Sequence, residues 1–361
     1  MIALNSTPET PPFRTLLKKL VDTPGDFTPE DLRLSLNCLF TPDTVPPEHV
    51  SVFLTALHIH HMERRPELLE TAASMLRERA REAVVDGAED FVVDIVGTGG
   101  DGHNLFNVST AAGIVAAGAG ARVIKHGNKA STSSSGSADL LQALGCQLTS
   151  PSTDIELAKP IPRIPFSFLF APQYHPVLGT IAPHRKSLPF RTIFNVLGPL
   201  ISPAKPQGMV LGVPQRELGL PFAKALKDGG VKHALVVCGE EGIDEISCAG
   251  PTWVWELRDG QISESSLGPA SFGLDPHPLS EVVGGSPDDN AEALKLLLHS
   301  REAIPLSKKP LLDFILMNAA ALLVVAGLAD SYTEGVEIAY ESVVSGAAWN
   351  ALDTFREQCR I

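Results

Sequence analysis

Two polar segments, each following a short apolar stretch, contain the residues best suited to chemistry. Gly97–Asp101 follows the apolar run Phe91–Val96, and Lys125–Lys129 with Ser131–Ser137 follows a second strand pattern. Glycines let backbone N–H groups approach a ligand closely, and helix N-termini add N–H donors and a partial positive charge. One such segment alone would also fit an ordinary strand-to-helix turn. Two in succession, with a lysine and several hydroxyls, predict a pocket for an anion with several phosphates, whereas the spacing does not favour a nucleotide triphosphate or NAD.

Positive charge gathers after a third apolar strand, Phe166–Phe170. The basic residues there are His175, His184, Arg185, Lys186 and Arg191. In an acidic protein this local excess fits either a solvated face or a site for a carboxylate or phosphate, which an arginine can bind through two parallel hydrogen bonds.

Acidic residues follow the strand pattern Ala234–Val237. Among the six residues from Glu240 to Glu245 four are acidic, and Asp244 and Glu245 are adjacent. A solvated loop is one interpretation. The other is a Mg²⁺ site, because neighbouring carboxylates can hold that ion directly and through water.

Three histidines, His58, His60 and His61, lie close together in a predicted helix. His60 and His61 point to different faces and have no carboxylate pair at ligand spacing. We therefore expect a helical interface there instead of a metal site.

The whole chain has 361 residues, 44% of them hydrophobic, and a net charge of −13. This charge disfavours nucleic acid or a membrane surface as a partner. Five scattered cysteines and an N-terminus without a long apolar run favour a cytoplasmic protein with reduced thiols. No uninterrupted apolar stretch is long enough to predict a membrane span.

The order of predicted elements changes near residue 88. Residues 1–88 read as helices, with a cap at Thr28 followed by Pro29 at the first helical position, and with a fourth helix from near Pro66 to Ala83. Alternating strands and helices follow, then a β-hairpin over Ser247–Ser266 and a last helix from Ser331 to about Cys359. The fold class is therefore α/β, with a small N-terminal helical domain before a larger α/β domain.

The motifs resemble those of the anthranilate phosphoribosyltransferase family. The resemblance is carried by Gly97–Asp101, Asn107–Thr110, Lys125–Asn128, Phe170–Pro172 with His175-Pro176, Arg191–Leu200 and Gly242–Glu245, and it covers nearly the whole chain. Pyrimidine nucleoside phosphorylases share the fold and a looser second loop, so a phosphorylase is one alternative. A non-catalytic binding protein on this fold is another.

The resemblance implies a nucleoside phosphorylase/phosphoribosyltransferase-like fold with a central mixed sheet. Its helical domain would comprise residues 1–88 with about 178–200, and its α/β domain residues 89–177 and 201–361. It also implies a homodimer formed through the helical domain.

The reaction implied is transfer of 5-phosphoribose from phosphoribosyl pyrophosphate (PRPP) to anthranilate, in tryptophan biosynthesis from chorismate. The family match assigns the Mg²⁺ ligands to Ser109, Asp244 and Glu245, and the anthranilate contacts to Gly97, Asn128, His175 and Arg185. Arg185, Lys125 and His126 are the implied catalytic residues, and His126 is the one candidate for a general base. The implied PRPP contacts are Gly97, Gly100, Asp101, Asn107, Val108, Ser109, Thr110, Lys125, His126, Gly127, Asn128, Lys129, Ala130, Ser131, Thr132, Ser133 and Ser137.

Four residues depart from the family pattern. Leu105 stands where a threonine is usual, Lys129 replaces an arginine, Pro189 a glycine and Ser202 an asparagine. None of these changes removes an implied ligand of the metal or of the carboxylate, and together they suggest a divergent member.

Overall fold

A seven-stranded mixed sheet forms the centre of the protein. The computed structural model describes residues 12–87, 89–130, 133–148, 160–299 and 304–359. The strands are β1 (Val92–Gly97), β2 (Arg122–Gly127), β3 (Phe166–Phe170), β4 (Gly208–Gly212), β5 (His233–Gly239), β6 (Thr252–Arg258) and β7 (Gln261–Leu267). They lie in the order β3-β2-β1-β4-β5-β6-β7. Strands β1 to β5 pair in parallel, and β6 and β7 continue the sheet antiparallel. The predicted mixed sheet is confirmed.

Helices cover both faces of this sheet. In chain order they are α1 (Phe13–Asp22), α2 (Pro29–Phe40), α3 (Pro47–Ile59), α4 (Pro66–Glu78), α5 (Val108–Gly118), α6 (Ser137–Ala143), α7 (Ala171–Tyr174), α8 (Leu178–Ser187), α9 (Arg216–Asp228), α10 (Pro287–His299), α11 (Lys309–Val325), α12 (Tyr332–Val344) and α13 (Ala347–Gln358). No helix in the described ranges is long and apolar enough to cross a membrane.

The apolar strands alternate between two cores. Val210 of β4 faces a core with α5, α11, α12 and α13, whereas its neighbours Met209 and Leu211 face a second core with α1 to α4 and α9. A strand buried on both faces needs an uninterrupted apolar sequence, which β4 has. The N-terminal helices therefore share a core with the sheet.

Helix α8 joins the basic segment to the N-terminal helices. It packs against α2 and α3, and Ile181 is buried in their core. The ring of His58 on α3 stacks on Phe190 just beyond α8, with ring centroids 4.5 Å apart. Sequence patterns did not predict α8, because Pro183 and three basic residues obscure its apolar side.

Three predicted boundaries were wrong. Helix α4 ends at Glu78, not near Ala83, and the hairpin begins at Thr252, not Ser247. The predicted last helix is two helices, α12 and α13. Gly346 between them adopts φ +79°, a left-handed conformation that interrupts the helix, and α13 begins at the next residue. The Ser331 cap is present, since its side chain accepts a hydrogen bond from Glu334 N.

Candidate active site

A cavity of about 480 Å³ opens at the carboxyl ends of the parallel strands. It is lined by the two predicted phosphate loops, by the acidic pair and by the basic segment. Most of the implied site residues line it, namely Gly97, Gly100, Asp101, Asn107, Ser109, Thr110, Lys125–Ala130, Ser133, Ser137, Arg185, Asp244 and Glu245. Val108 and His175 do not line it, being buried in the protein, and Ser131 and Thr132 lie outside the described residues.

The first loop is shaped by close backbone contacts where β1 and β4 end. Asp244 rests against Gly97 and Gly212, and a Cβ at either glycine would collide with it. The N–H of Gly99 donates to Asp244 Oδ2 at 2.6 Å. After β1 the chain continues to β2 on one side, and after β4 it continues to β5 on the other side. In α/β folds, ligands bind in the crevice between two such adjacent strand ends.

Arg191 fixes the same loop from the other side. Its Nη2 donates to the carbonyl oxygens of Thr98 at 2.7 Å and Asn195 at 3.1 Å, and its Nη1 donates to the carbonyl of Gly99. The guanidinium occupies the space where a Cβ of Gly100 would lie. Only glycine therefore fits at position 100 while Arg191 keeps these contacts.

The acidic pair concentrates negative charge in a recessed position. Burial, and next the charge of Asp101, raise the pKa of Asp244 to about 6. Burial and then the charge of Asp244 raise the pKa of Glu245 well above its usual value. A cation in the cavity would relieve this repulsion.

The donor atoms suit Mg²⁺. Asp244 and Glu245 offer carboxylate oxygens and Ser109 a hydroxyl at the same cavity. Within the described ranges, no group of three or more histidine, cysteine or acidic residues is arranged to hold a metal by itself. Mg²⁺ fits such a set, because it commonly binds one or two carboxylates and keeps waters or substrate phosphates as its other ligands.

Lys125 lies beneath these acids. Its Nζ donates to the Ile95 carbonyl and, at 3.3 Å, to Ser109 Oγ. Burial lowers its pKa, and the charges of Asp94, Glu245 and Asp244 oppose that shift. Lys125 is thus placed to offset the acids and to orient the Ser109 hydroxyl.

His126 and His175 form a buried pair of neutral rings. Their centroids are 5.2 Å apart in an edge-to-face arrangement. His126 Nδ1 lies 3.2 Å from the Gly198 carbonyl and must donate to it, so its Nε2 carries a lone pair. Burial, and then His175, lower the pKa of His126 to about 3, which makes this nitrogen a weak base at neutral pH.

Arg185 faces the cavity from the last turn of α8. Its guanidinium lies 6.0 Å from the ring centroid of Phe194, and its buried Nε has no hydrogen-bond partner in the described structure. A partly buried cation with an unused buried donor favours an anionic ligand. The cavity therefore combines phosphate loops, acids that suit a metal, and an arginine that suits a carboxylate.

Comparisons with known proteins agree with this geometry. The profile described as "Glycosyl transferase family, a/b domain" matches residues 89–349. The curated anthranilate phosphoribosyltransferase of Schizosaccharomyces pombe is 47% identical, over 93% of this chain and 94% of that protein. The chain belongs to the anthranilate phosphoribosyltransferase family. The Dehalococcoides mccartyi member is 39% identical over 85% of this chain and 87% of its own length.

Solved structures of anthranilate phosphoribosyltransferases share the fold. The Saccharomyces cerevisiae enzyme in complex with PRPP and Mg superposes with a TM-score of 0.86 at 36% identity, over 96% of this chain and 98% of that one. The Thermus thermophilus enzyme gives a TM-score of 0.83 at 37% identity, over 96% and 99%.

Several cavity residues were not predicted as site residues. Arg191 stands out in the sequence for its charge and, with Phe194 and Asn195, as part of a motif, but none of the three was assigned to the site, and all three line the cavity. The segment Val282–Asn290, which contacts residues 104–106 beyond the first loop, comprises a loop and the start of α10. Among the four departures from the anthranilate phosphoribosyltransferase pattern, Leu105 lines the cavity and pairs with Val283 in an antiparallel bridge.

Proposed function

We propose that this protein catalyses transfer of the 5-phosphoribosyl group of PRPP to the amine of anthranilate, releasing pyrophosphate. The observation that carries the proposal is one cavity that joins two phosphate loops and an acidic pair to Arg185. The family membership supports the same reaction, the second step of tryptophan biosynthesis from chorismate.

The two loops would hold the donor. Backbone N–H groups of the glycine loop, the N-terminus of α5, and the hydroxyls of Ser109 and Thr110 present hydrogen-bond donors to phosphate oxygens. The Ser137 hydroxyl lines the same cavity and donates to the Asn128 carbonyl at 3.1 Å. Thr110 Oγ1 is buried and has no partner in the described structure, which fits a hydroxyl that serves a ligand. The charge of Lys129 adds to this binding.

Asp244, Glu245 and Ser109 would hold Mg²⁺, directly or through water. The S. cerevisiae relative was solved with PRPP and Mg. When bound, the ion neutralises charge that develops on the departing pyrophosphate. Lys125 and Arg191 keep the protein groups around this position in place.

Arg185 would bind the carboxylate of anthranilate through two parallel hydrogen bonds, with Gly97 and Asn128 beside the ring. The S. cerevisiae relative was also solved with 4-fluoroanthranilate. This contact turns the amine towards C1 of the ribose. As the amine nitrogen forms its bond to C1, the C1–O bond breaks and its electron pair leaves with pyrophosphate.

No strong base is required from the protein. The aromatic amine is neutral at pH 7 and attacks with its own lone pair, and after the N–C1 bond has formed its extra proton passes to the departing pyrophosphate. The low basicity of His126 argues for a positioning role on the Gly198 carbonyl. Closure around the substrates would keep water from the activated donor.

The proposed assembly is a cytoplasmic homodimer. Residues 1–88 with about 178–200 would form its helical domain, and 89–177 with 201–361 its α/β domain. Exposed apolar side chains on the helical part, Val21, Val52 and Ile59, support a face for a second copy. Cys38, Cys238, Cys248 and Cys359 are free thiols, which fits a reducing compartment.

Anthranilate fluorescence tests the activity directly. Purified protein is mixed with anthranilate, Mg²⁺ and PRPP, and loss of anthranilate emission is followed beside a sample without PRPP. A PRPP-dependent loss with stoichiometric pyrophosphate release supports the proposal. If PRPP binds but anthranilate is not consumed, the acceptor is wrong; if nucleosides are cleaved with inorganic phosphate, the protein is a phosphorylase.

A further inference from the structure

A third segment of the chain, residues 282–290, packs against residues 104–106, which connect the first phosphate loop to α5. The Phe106 N–H donates to the Val282 carbonyl at 3.0 Å, and the Gly284 N–H donates to the Asn104 carbonyl at 2.8 Å. A Cβ at Gly284 would collide with the backbone of Leu105. The segment thus lies directly behind the loop that was assigned to the donor.

Two asparagine side chains connect this segment to both phosphate loops. Asn290 Oδ1 accepts from the Gly285 N–H at 2.8 Å, and Asn290 Nδ2 donates to Asn107 Oδ1 at 2.9 Å. Asn107 Nδ2 then donates to the Ser135 carbonyl at 2.7 Å. Asn107 directly precedes α5 beside the first loop, and Ser135 belongs to the second loop.

The direction of this chain of hydrogen bonds is fixed at both ends. A backbone N–H can only donate and a carbonyl can only accept, so each amide has one orientation that satisfies all three bonds. Turning either amide over would place two acceptors or two donors against each other. Because Asn290 is 4% exposed, water cannot easily replace a lost partner.

The loops do not depend on Asn290 for their own folding. The Asp139 carboxylate accepts from the Ala130 and Gly136 N–H groups within the second loop. Asn104 separately links the Ser134 N–H to the Gly284 carbonyl. Loss of the Asn290 contact would therefore change how the loops are held relative to each other more than whether they form.

We propose that Asn290 is a positioning residue for PRPP. It does not line the cavity, and it acts by orienting the Asn107 amide, which sets the spacing of the two loops that share one polyanionic ligand. The inference rests on the proposed function, because it takes PRPP as that ligand. Among the described residues, no hydrogen bond joins Arg185, on the side proposed for anthranilate, to Asn290, Asn107 or Ser135.

Direct binding of PRPP tests the inference. Titration calorimetry with Mg²⁺ and without anthranilate compares wild type with Asn290→Asp, Asn290→Ala and the control Asp288→Asn, an exposed acid-to-amide change in the same turn. We expect Asn290→Asp to weaken PRPP binding about tenfold or more, because it faces Asn107 Oδ1 with a second buried acceptor. Asn290→Ala should weaken binding less, and Asp288→Asn should match wild type.

The order of the two Asn290 variants separates hydrogen-bond direction from packing. If packing alone mattered, the smaller alanine would be the more damaging change and the near-isosteric aspartate the milder one. Asn107→Ala/Asn290→Ala should also bind PRPP no more weakly than Asn107→Ala alone, because both changes break the same chain. The KM for anthranilate should stay within about twofold of wild type in Asn290→Ala. The reason is that a substitution has little effect on the energetics of a distant site with which it shares no contacting residues.

Wild-type binding of PRPP by both Asn290 variants would overturn the inference, as would the reverse order of effects. Asn290→Ala decides the matter if Asn290→Asp does not fold, as judged by circular dichroism. A wild-type protein that binds PRPP without consuming anthranilate would refute the proposed reaction and leave the role of Asn290 standing.

Discussion

Gly100 in the first phosphate loop and Gly102 directly after it should respond very differently to the same substitution. Their φ angles are nearly equal, +78° and +79°. An alanine in this left-handed region costs about 1–2 kcal/mol at either position. At Gly102 no atom lies within 4 Å of the new Cβ, whereas at Gly100 the Cβ meets the Arg191 guanidinium.

The larger effect of Gly100→Ala follows from the hydrogen bonds that Arg191 would lose. The guanidinium ends a flexible side chain and can move away, so the collision itself is inexpensive. Its bonds to the Thr98 and Gly99 carbonyls would break, and at about 1.5 kcal/mol for each bond from a charged donor this is about 3 kcal/mol. We expect kcat/KM for PRPP to fall roughly 10²-fold or more beyond the effect of Gly102→Ala, at about 1.4 kcal/mol per factor of ten.

Steady-state kinetics with PRPP varied, read from anthranilate fluorescence, measure this difference. Arg191→Ala serves as a second control, because once the guanidinium is gone Gly100→Ala should cost no more than Gly102→Ala. Equal losses in the two single variants would refute the argument. So would a Gly100→Ala effect that persists in full in the Arg191→Ala background.

Three further predictions concern the other parts of the cavity. Arg185→Ala should lower kcat/KM for anthranilate by roughly 10²-fold, because two charged hydrogen bonds are lost, with little change in the KM for PRPP. Arg185→Lys should have a kcat/KM for anthranilate between those of wild type and Arg185→Ala. Asp244→Asn and Glu245→Gln should raise the Mg²⁺ concentration needed for half-maximal activity, measured by metal titration, whereas the exposed Asp288→Asn should not. Burial lowers the pKa of His175 from 6.5 to about 4, so the unfolded chain binds the additional proton and the folded state loses stability as pH falls below about 6.5. The stability difference between wild type and His175→Gln should therefore shift by about 2 kcal/mol between pH 7 and 5 in denaturant unfolding, and a constant difference would contradict this sign. The difference between the two proteins is used because burial raises the pKa of Asp94 to about 6. Protonation of Asp94 therefore stabilises the folded state as pH falls, which is opposite to the effect of His175, and this contribution is the same in both proteins.

Sequence patterns located the parts of the site that depend on short local motifs. The loops at Gly97–Asp101 and Lys125–Lys129 combine strand, glycine and helix start within a few residues, and the order of parallel strands brings them to one edge. Asp244 and Glu245 were found for the same reason. Such features are encoded locally and can be read without a structure.

Contacts between distant segments could not be read in this way. Arg191 binds the Thr98 carbonyl across 93 residues, and Asn290 binds Asn107 across 183. Nothing in the sequence near Asn290 distinguishes it from an ordinary helix-start residue, because its role depends on which backbone groups the fold brings opposite its amide. Helix α8 was missed because its apolar contact with α2 and α3 comes mainly from Ile181.

The positions of Arg185 and Arg191 connect the two halves of the proposed reaction. Both lie on one short segment, but Arg191 binds backbone carbonyls of the first phosphate loop, whereas Arg185 lines the part of the cavity that we propose for anthranilate. The same segment is attached through α8 to the N-terminal helices. A movement that separated Arg185 from the first phosphate loop would have to break the Arg191 bonds, at about 3 kcal/mol by the reasoning above. We therefore expect the first phosphate loop and the segment that carries Arg185 to move together during closure. Occupation of one substrate site would then change the geometry of the other.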